Sequence, residues 1–340
     1  MFPYLNGEDL NCSHAQIPSR WVINFWDWPL SREGEGSWNE MTADERQEAL
    51  SFPDLPNDYP GRVAADFPEL LRIVVEKVKP ERLKSNNKGL RTYWWHFERA
   101  RSALYHAIGR GSSFAKHPKE YNEKATVLRD KVLVSSSVTK HFVPFEVDSN
   151  YVFSHALIVL LPRVPHIFLS SSLFHDWVWK QGSRLETRLR FTPSDCYETF
   201  PFPREETPGL EELGERFDAL RREIMTSEKI GLTALYNRFH DERETDERIL
   251  AMRDMQRAID AIAVKAYGWD DVPLEHGFHH VSYRPEGQNL RYTVSEKARV
   301  AFWSRLSKLN RERYAQEQEQ EKEQERLRGK KPTPKRGKRQ

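Results

Sequence analysis

Arginines threaded among aromatic residues are the first feature of this sequence that could do chemistry. Arg91, Arg99 and Arg101 interleave with Tyr93, Trp94 and Trp95. A guanidinium can fork onto a phosphate or a guanine edge, and an aromatic ring can stack on a base. Further on, "SSSVTKH" supplies Ser135, Ser137, Lys140 and His141, hydroxyls and cations that suit phosphate oxygens. Arg184, Arg188 and Arg190 make a third basic group. Each set has a plainer reading. Trp94 and Trp95 read better as core residues than as stacking platforms, and the cations fit either phosphate contacts or surface ion pairs.

The charge distribution suits a binding face and a solvated face with lysines in loops equally well. Residues 84–140 hold 12 Lys and Arg against 4 Asp and Glu, while residues 1–83 hold 8 against 15. The formal net charge of the 340 residues is only +2, so the excess is local. A local basic block is the electrostatic footprint expected of a nucleic-acid surface. "RGKKPTPKRGKRQ" (Arg328 to Gln340) holds seven basic residues and no acidic one, a composition that cannot bury a core and is expected to be disordered.

Catalytic signatures are missing. There is no Gly-x-x-x-x-Gly-Lys loop, no Gly-x-Ser-x-Gly elbow and no Pro-Pro dipeptide. Gly34-x-Gly36 sits in a polar loop rather than between a strand and a helix, which makes it a poor dinucleotide signal. A metal-dependent nuclease needs an Asp/Glu-x-Lys pair, and none occurs. His276, His279 and His280 cluster, and Cys12 lies near His14, but zinc needs four convergent ligands. Those histidines therefore read as ordinary loop residues, and no metal is expected. Two cysteines, Cys12 and Cys196, give no disulfide framework and suit a reducing cytoplasm. No apolar run approaches the roughly 18 residues that span a bilayer, so no membrane association is expected.

The elements that must position these residues are mixed. "RWVINFWDWP" (Arg20 to Pro29) reads as a strand closed by proline, and Asn6-Gly7 as a turn. Thr42 and Glu45 have capping-box spacing before a short helix. Asp66 is expected to cap a second helix. Phe67, Leu70, Leu71, Val74, Val75 and Val78 line one face of it, and Pro80 stops it. Leu90 to Ile108 reads as helical in its later part, and Lys131 to Leu161 as a run of short strands. Ile167 to Val178 has helical spacing, with Gly182 as a cap. Three prolines make "FTPSDCYETFPFP" (Phe191 to Pro203) an extended connector. Beyond it, Leu210, Leu213, Phe217, Leu220 and Ile224 form a heptad-like seam. Two more helices follow, separated by a loop containing "EHGFHHVSYRPEG". The expected fold class is α+β. A mixed-sheet domain with flanking helices would span residues 1–203, a helical domain 204–315, and a charged, disordered tail 316–340.

Several stretches in order carry a family resemblance. "YLNGEDLN", "RWVINFWDWP", "FPELLRIVVEKVKPER", "YWWHFERARSALYHAI", "VSSSVTKHFVPFEV", "VFSHALIVLL", "SSSLFHDWVW" and "TPSDCYETFPFP" resemble the C-terminal half of class I, S-adenosylmethionine-dependent DNA methyltransferases. The nearest likeness is to bacterial type II enzymes in which adenine methylation and restriction share one polypeptide. "GLTALYNRF", "AYGWDDVPLEHGF" and "RYTVSEKARVAFWSRLSKLNRERY" resemble the helical segment of the same proteins, so the likeness covers about residues 3–315.

The resemblance implies a target-recognition region that reads double-stranded DNA. It also implies that the cofactor loop and the Asn-Pro-Pro-Tyr motif lie before that region. With no Pro-Pro dipeptide, these residues cannot supply that motif. They are expected to hold no cofactor themselves, S-adenosylmethionine belonging to a catalytic domain or partner subunit. They are also expected to be catalytically inert alone, since methylating an adenine amino group requires a flipped-base pocket beside the cofactor. The alternatives are an active subunit of a split enzyme with an unrecognised site, or a non-specific nucleic-acid binder using the basic tail.

Overall fold

The structure, a computed structural model, describes residues 1–97, 101–109, 128–161, 164–205 and 207–327. The fold is α+β, with several small sheets and a helical C-terminal region. No helix among the described residues is long and apolar enough to cross a membrane. The chain divides into two compact units, residues 1–6, 17–132 and 146–155 in the first, and residues 7–16, 133–145 and 156–340 in the second. This division follows other lines than the break at residue 203 expected from the prolines.

In the first unit, Phe2–Leu5 pairs antiparallel with Arg20–Val22 and parallel with Val152–Phe153. The strand expected from Arg20 to Pro29 is therefore only three residues long, and Trp26 takes a positive φ of 53°. The helix Ala43–Ala49 has the expected capping box, Thr42 Oγ1 accepting from Glu45 N and the Glu45 carboxylate from Thr42 N. The helix Pro68–Lys77 forms too, but Asp66 does not cap it. Its carboxylate accepts from Val63 N at 3.0 Å and pairs with Arg32, so it closes the preceding turn. The N-cap is Phe67, and Pro68 begins the helix where a missing N–H is harmless. Pro80 does not end the helical course either. It lies in the first turn of Lys79–Leu83, where its fixed φ fits.

Phe25, Ala64, Val74, Trp94 and Trp95 form the core of this unit, with Phe67, Leu70, Leu71 and Val78 packed against it. Val75, expected on the same face, is exposed. Trp94 and Trp95 are thus core residues, as their size suggested. Trp95 is 4 % exposed and its indole Nε1 donates to Trp28 O at 2.8 Å. Trp95→Ala is expected to destabilise the protein by about 3–5 kcal/mol, through the cavity the indole leaves. Urea unfolding measures this, and a change below about 1 kcal/mol would contradict the packing.

In the second unit, residues 7–16 do not open on a turn. Gly7–Asn11 is helical, and Asn11 Nδ2 donates to Gly7 O at 2.8 Å and to Ser136 Oγ at 2.6 Å. Leu133 to Ser136 pairs antiparallel with Leu157–Leu160. The helix Ser172–Gln181 begins at Ser171, whose Oγ accepts from Phe174 N, and ends at Gly182. Gly182 has an ordinary φ of −71°. Its absent side chain matters for space, since a Cβ would lie 2.7 Å from Val178 O and 2.8 Å from Leu189 Cδ1.

The connector from Phe191 is not wholly extended. Pro193–Cys196 forms a helical turn, with Pro193 at a position that needs no N–H. The remainder is pinned as expected. Phe200 packs on Phe168, Phe174 and Trp177, and Asn310 Nδ2 and Arg313 Nη1 donate to Thr199 O and Phe202 O at 2.5 Å.

Leu210–Glu228 buries Leu210, Gly214, Phe217, Asp218, Arg221, Ile224 and Met225, a face rotated from the apolar seam. Arg221 is fully enclosed and pairs with Asp218, and His166 Nε2 lies 2.9 Å from that carboxylate. Burial alone would raise the Asp218 carboxyl, but Arg221 and His166 prevail and hold it at about 2. The helix packs within the chain, against Glu247–Lys265. The loop expected after this second helix is a hairpin, Gly277–His280 pairing antiparallel with Leu290–Thr293. The last helix, Glu296–Leu327, runs well past residue 315, and the tail assigned from residue 316 is helical as far as Leu327. Glu, Gln, Lys and Arg are strong helix formers and make local pairs such as Glu323 with Arg326. Residues 328–340 lie outside the described residues.

Candidate nucleic-acid interface

A three-stranded antiparallel sheet gathers one group of the basic residues expected to bind. Ser183–Leu185, Arg188–Arg190 and Val138–Thr139 lie in that spatial order. Directly opposed residues share a face, so Arg188 and Arg190 stand with Leu185, Ser183 and Val138 on one side. On the other side Leu189 is buried against Thr139, which anchors the strand. Alternation alone therefore projects two arginines outward on either side of a core leucine. Arg190 makes no side-chain hydrogen bond or ion pair among the described residues, and Arg188 pairs with Glu186 at 2.8 Å at the exposed end of the hairpin. Leu185, 48 % exposed, lies beside them.

The other candidates are placed less uniformly. Arg184 shares Leu189's face at the sheet edge, and its guanidinium donates to Tyr283 O. Ser137 is half-buried and works through its backbone, its N–H donating to Ala156 O and its carbonyl accepting from Phe191 N, both at 2.8 Å. Ser135 is 1 % exposed and its hydroxyl is enclosed. A hydroxyl in that position packs the sheet and does not face solvent. Arg91 and Arg101 belong to the other unit. Arg91 Nη1 donates to Ser85 O at 2.6 Å, and Arg101 is exposed with a φ of 55°. Arg99 lies outside the described residues.

Lys140 and His141 converge on Asn237. The Lys140 ammonium donates to Asn237 Oδ1 at 2.7 Å, and His141 Nε2 lies 3.0 Å from the same oxygen. His141 Nδ1 lies 3.1 Å from Arg291 Nη2. Since a guanidinium only donates, Nδ1 accepts and Nε2 carries the proton, so His141 is neutral. Burial, with Arg291 next, holds its pKa well below the usual imidazole range. His141 is buried and is not a surface cation. Its ring stacks on His240 at 5.6 Å, at the edge of a cluster of His175, His240, Arg284 and Arg291 around a small cavity. No local pattern signals this cluster, since its members come from distant segments.

Two of the histidines considered for metal binding hydrogen-bond within the protein. His276 Nε2 lies 2.8 Å from Asp260 Oδ2, and His279 Nε2 lies 2.9 Å from Glu275 O. Gly34 ends a strand against Asp54 O and Leu55 O, where a Cβ would be about 3 Å from backbone, and no helix opens behind it.

Comparison with known proteins agrees with the resemblance in the sequence. Residues 63–204 match the family model described as the target recognition domain of MmeI. Among solved structures, a Type IIL restriction-modification enzyme, MmeI, in complex with DNA is similar at 19 % identity with a TM-score of 0.45. The likeness covers 75 % of this chain and 28 % of that one. No curated protein matches. The matched segment contains Arg91, Ser135, Lys140 and the paired arginines Arg188 and Arg190, and across residues 63–204 this chain is similar to the target recognition domain of MmeI.

Proposed function

We propose that this chain reads the sequence of double-stranded DNA for a restriction–modification enzyme. The match of residues 63–204 to a target recognition domain carries this reading. The outward pair Arg188 and Arg190, with Leu185 between the strands, supports it physically. Arginine forks onto phosphates or guanine edges, and an exposed aliphatic side chain suits a thymine methyl group. Arg91 and Arg101, in the first unit, are separate candidates for phosphate contacts.

The chemistry of methyl transfer and cleavage belongs, in this reading, to sequence outside these 340 residues or to a methyltransferase subunit, which would also hold S-adenosylmethionine. The lack of any Pro-Pro dipeptide supports that assignment. The modified base would be adenine, as the resemblance implies, and the chain would act in the cytoplasm.

Selection from a pool of randomised duplexes at two salt concentrations, with sequencing of the bound fraction, tests the proposal. An enriched motif that survives the higher salt is the expected result. Binding that vanishes at higher salt without any motif, and that is lost when Arg328 to Gln340 is deleted, would instead identify a non-specific binder using its basic tail.

A further inference from the structure

The cavity beside the histidine cluster holds an unusual set of atoms. Its lining includes His175, Asp176, His240, Arg284 and Arg291, and its volume is about 30 Å³. Enclosed and without a hydrogen-bond partner are His175 Nε2, Asp176 Oδ2, His240 Nδ1, Arg284 Nη1 and Arg291 Nε. Buried polar atoms are almost always satisfied, and each one left bare costs about 1–3 kcal/mol. Five around one cavity imply an occupant.

The sign of the local charge identifies its class. Arg284 and Arg291 contribute two cations, and Asp176 is the one carboxylate in the lining. Asp260, close by, is committed to Ser172, Gln256 and His276. Arg284 has company, lying 4.1 Å over the Trp179 ring and within the field of Asp176. Arg291 is 4 % exposed, and the charges acting on it, Arg284 and Lys140, are of the same sign. Its single side-chain hydrogen bond goes to a neutral imidazole, His141. An unpaired charge at such depth is too costly to persist without a counter-ion.

We infer that this cavity binds a halide-sized inorganic anion, held by Arg291 Nε and Arg284 Nη1 with His240 donating from Nδ1. A DNA phosphodiester is excluded by size, because a cavity of about 30 Å³ admits one monatomic ion or a water and little more. The anion would be structural, neutralising Arg291 so that it can brace His141, which with Lys140 converges on Asn237. This inference does not depend on DNA reading.

Two measurements on the full chain decide it. In the first, the melting temperature is followed as chloride replaces glutamate at constant ionic strength. A rise of about 3 °C at ten times the dissociation constant, growing thereafter with the logarithm of chloride, is expected. Arg291→Met, which removes the charge while filling the space, should abolish that dependence. In the second, crystals of the unmodified protein grown in bromide should show an anomalous peak between Arg291 and His240. An equal melting temperature in both salts, or a chloride effect that persists in Arg291→Met, would overturn the inference. So would a water with no anomalous signal in the cavity. If Arg291→Met fails to fold, the bromide peak alone decides.

Discussion

Replacing Arg188 and Arg190 together by alanine is expected to weaken duplex binding about tenfold for each side chain at moderate salt, without unfolding the protein. Both side chains are exposed and neither supports a core contact, so stability should change by less than about 0.5 kcal/mol. A hydrogen bond to a charged group is worth about 1.5–3 kcal/mol, which sets the tenfold scale. The two guanidiniums also release condensed counterions when they meet phosphates. The slope of log affinity against log salt should therefore fall by about 2 in the double variant.

Arg184→Ala is the internal control, because its guanidinium is already engaged by the Tyr283 carbonyl and should contribute less. If Arg190 reads a base instead of a phosphate, its single variant will relax the preferred sequence at one position while leaving the slope almost unchanged. Fluorescence anisotropy over a salt series separates these outcomes. An unchanged affinity and slope in the double variant would remove this sheet from the interface.

Acid is expected to unfold the second unit from a higher pH than carboxylate chemistry alone would bring. Burial, with Arg284 and Arg291 next, lowers His175 from 6.5 to about 3. Burial and Arg291 hold His141 and His240 well below the same value. In the unfolded chain these imidazoles take up protons near pH 6.5, while the folded protein keeps them neutral. The unfolded state then binds more protons, so stability falls as pH drops below about 6.5, by about 1.4 kcal/mol per histidine per pH unit.

Asp176 works the other way. Burial raises it from 3.8 to about 6, so the folded state gains a proton there and offsets about one histidine between those values. The net loss between pH 6 and pH 5 is about 3 kcal/mol. Urea midpoints in chloride-free buffer should be flat between pH 7 and 8 and decline steeply below 6.5. His240→Asn should flatten the decline by about one proton. A midpoint unchanged from pH 7 to pH 5 would mean that the native histidines are charged or fully paired.

What could be read from the sequence was local. Thr42 and Glu45 cap a helix because their atoms meet three residues apart whatever the rest of the chain does. The β-branched runs from Lys131 to Leu160 form strands because their side chains suit a pleated surface. Trp94 and Trp95 are core because so much apolar area seldom stays wet. The ordered motifs pointed to the recognition family whose model matches residues 63–204.

Tertiary structure decided whatever depends on distant partners. Asp66 had the spacing of a helix cap, but Arg32, far back in the sequence, holds it in another turn. Pro193 and Pro80 looked like breaks, yet each sits in a first turn where a missing N–H does no harm. Ser135 and His141 looked like phosphate ligands, and neighbours from remote segments enclosed them. The cavity between His175, His240 and Arg291 was invisible, because those residues meet only when helices and a hairpin from separate stretches pack together. Local pattern fixes which way a backbone runs and which face is apolar. Which polar groups are desolvated, and so which titrate or require a counter-ion, is settled only by what long-range packing lays over them.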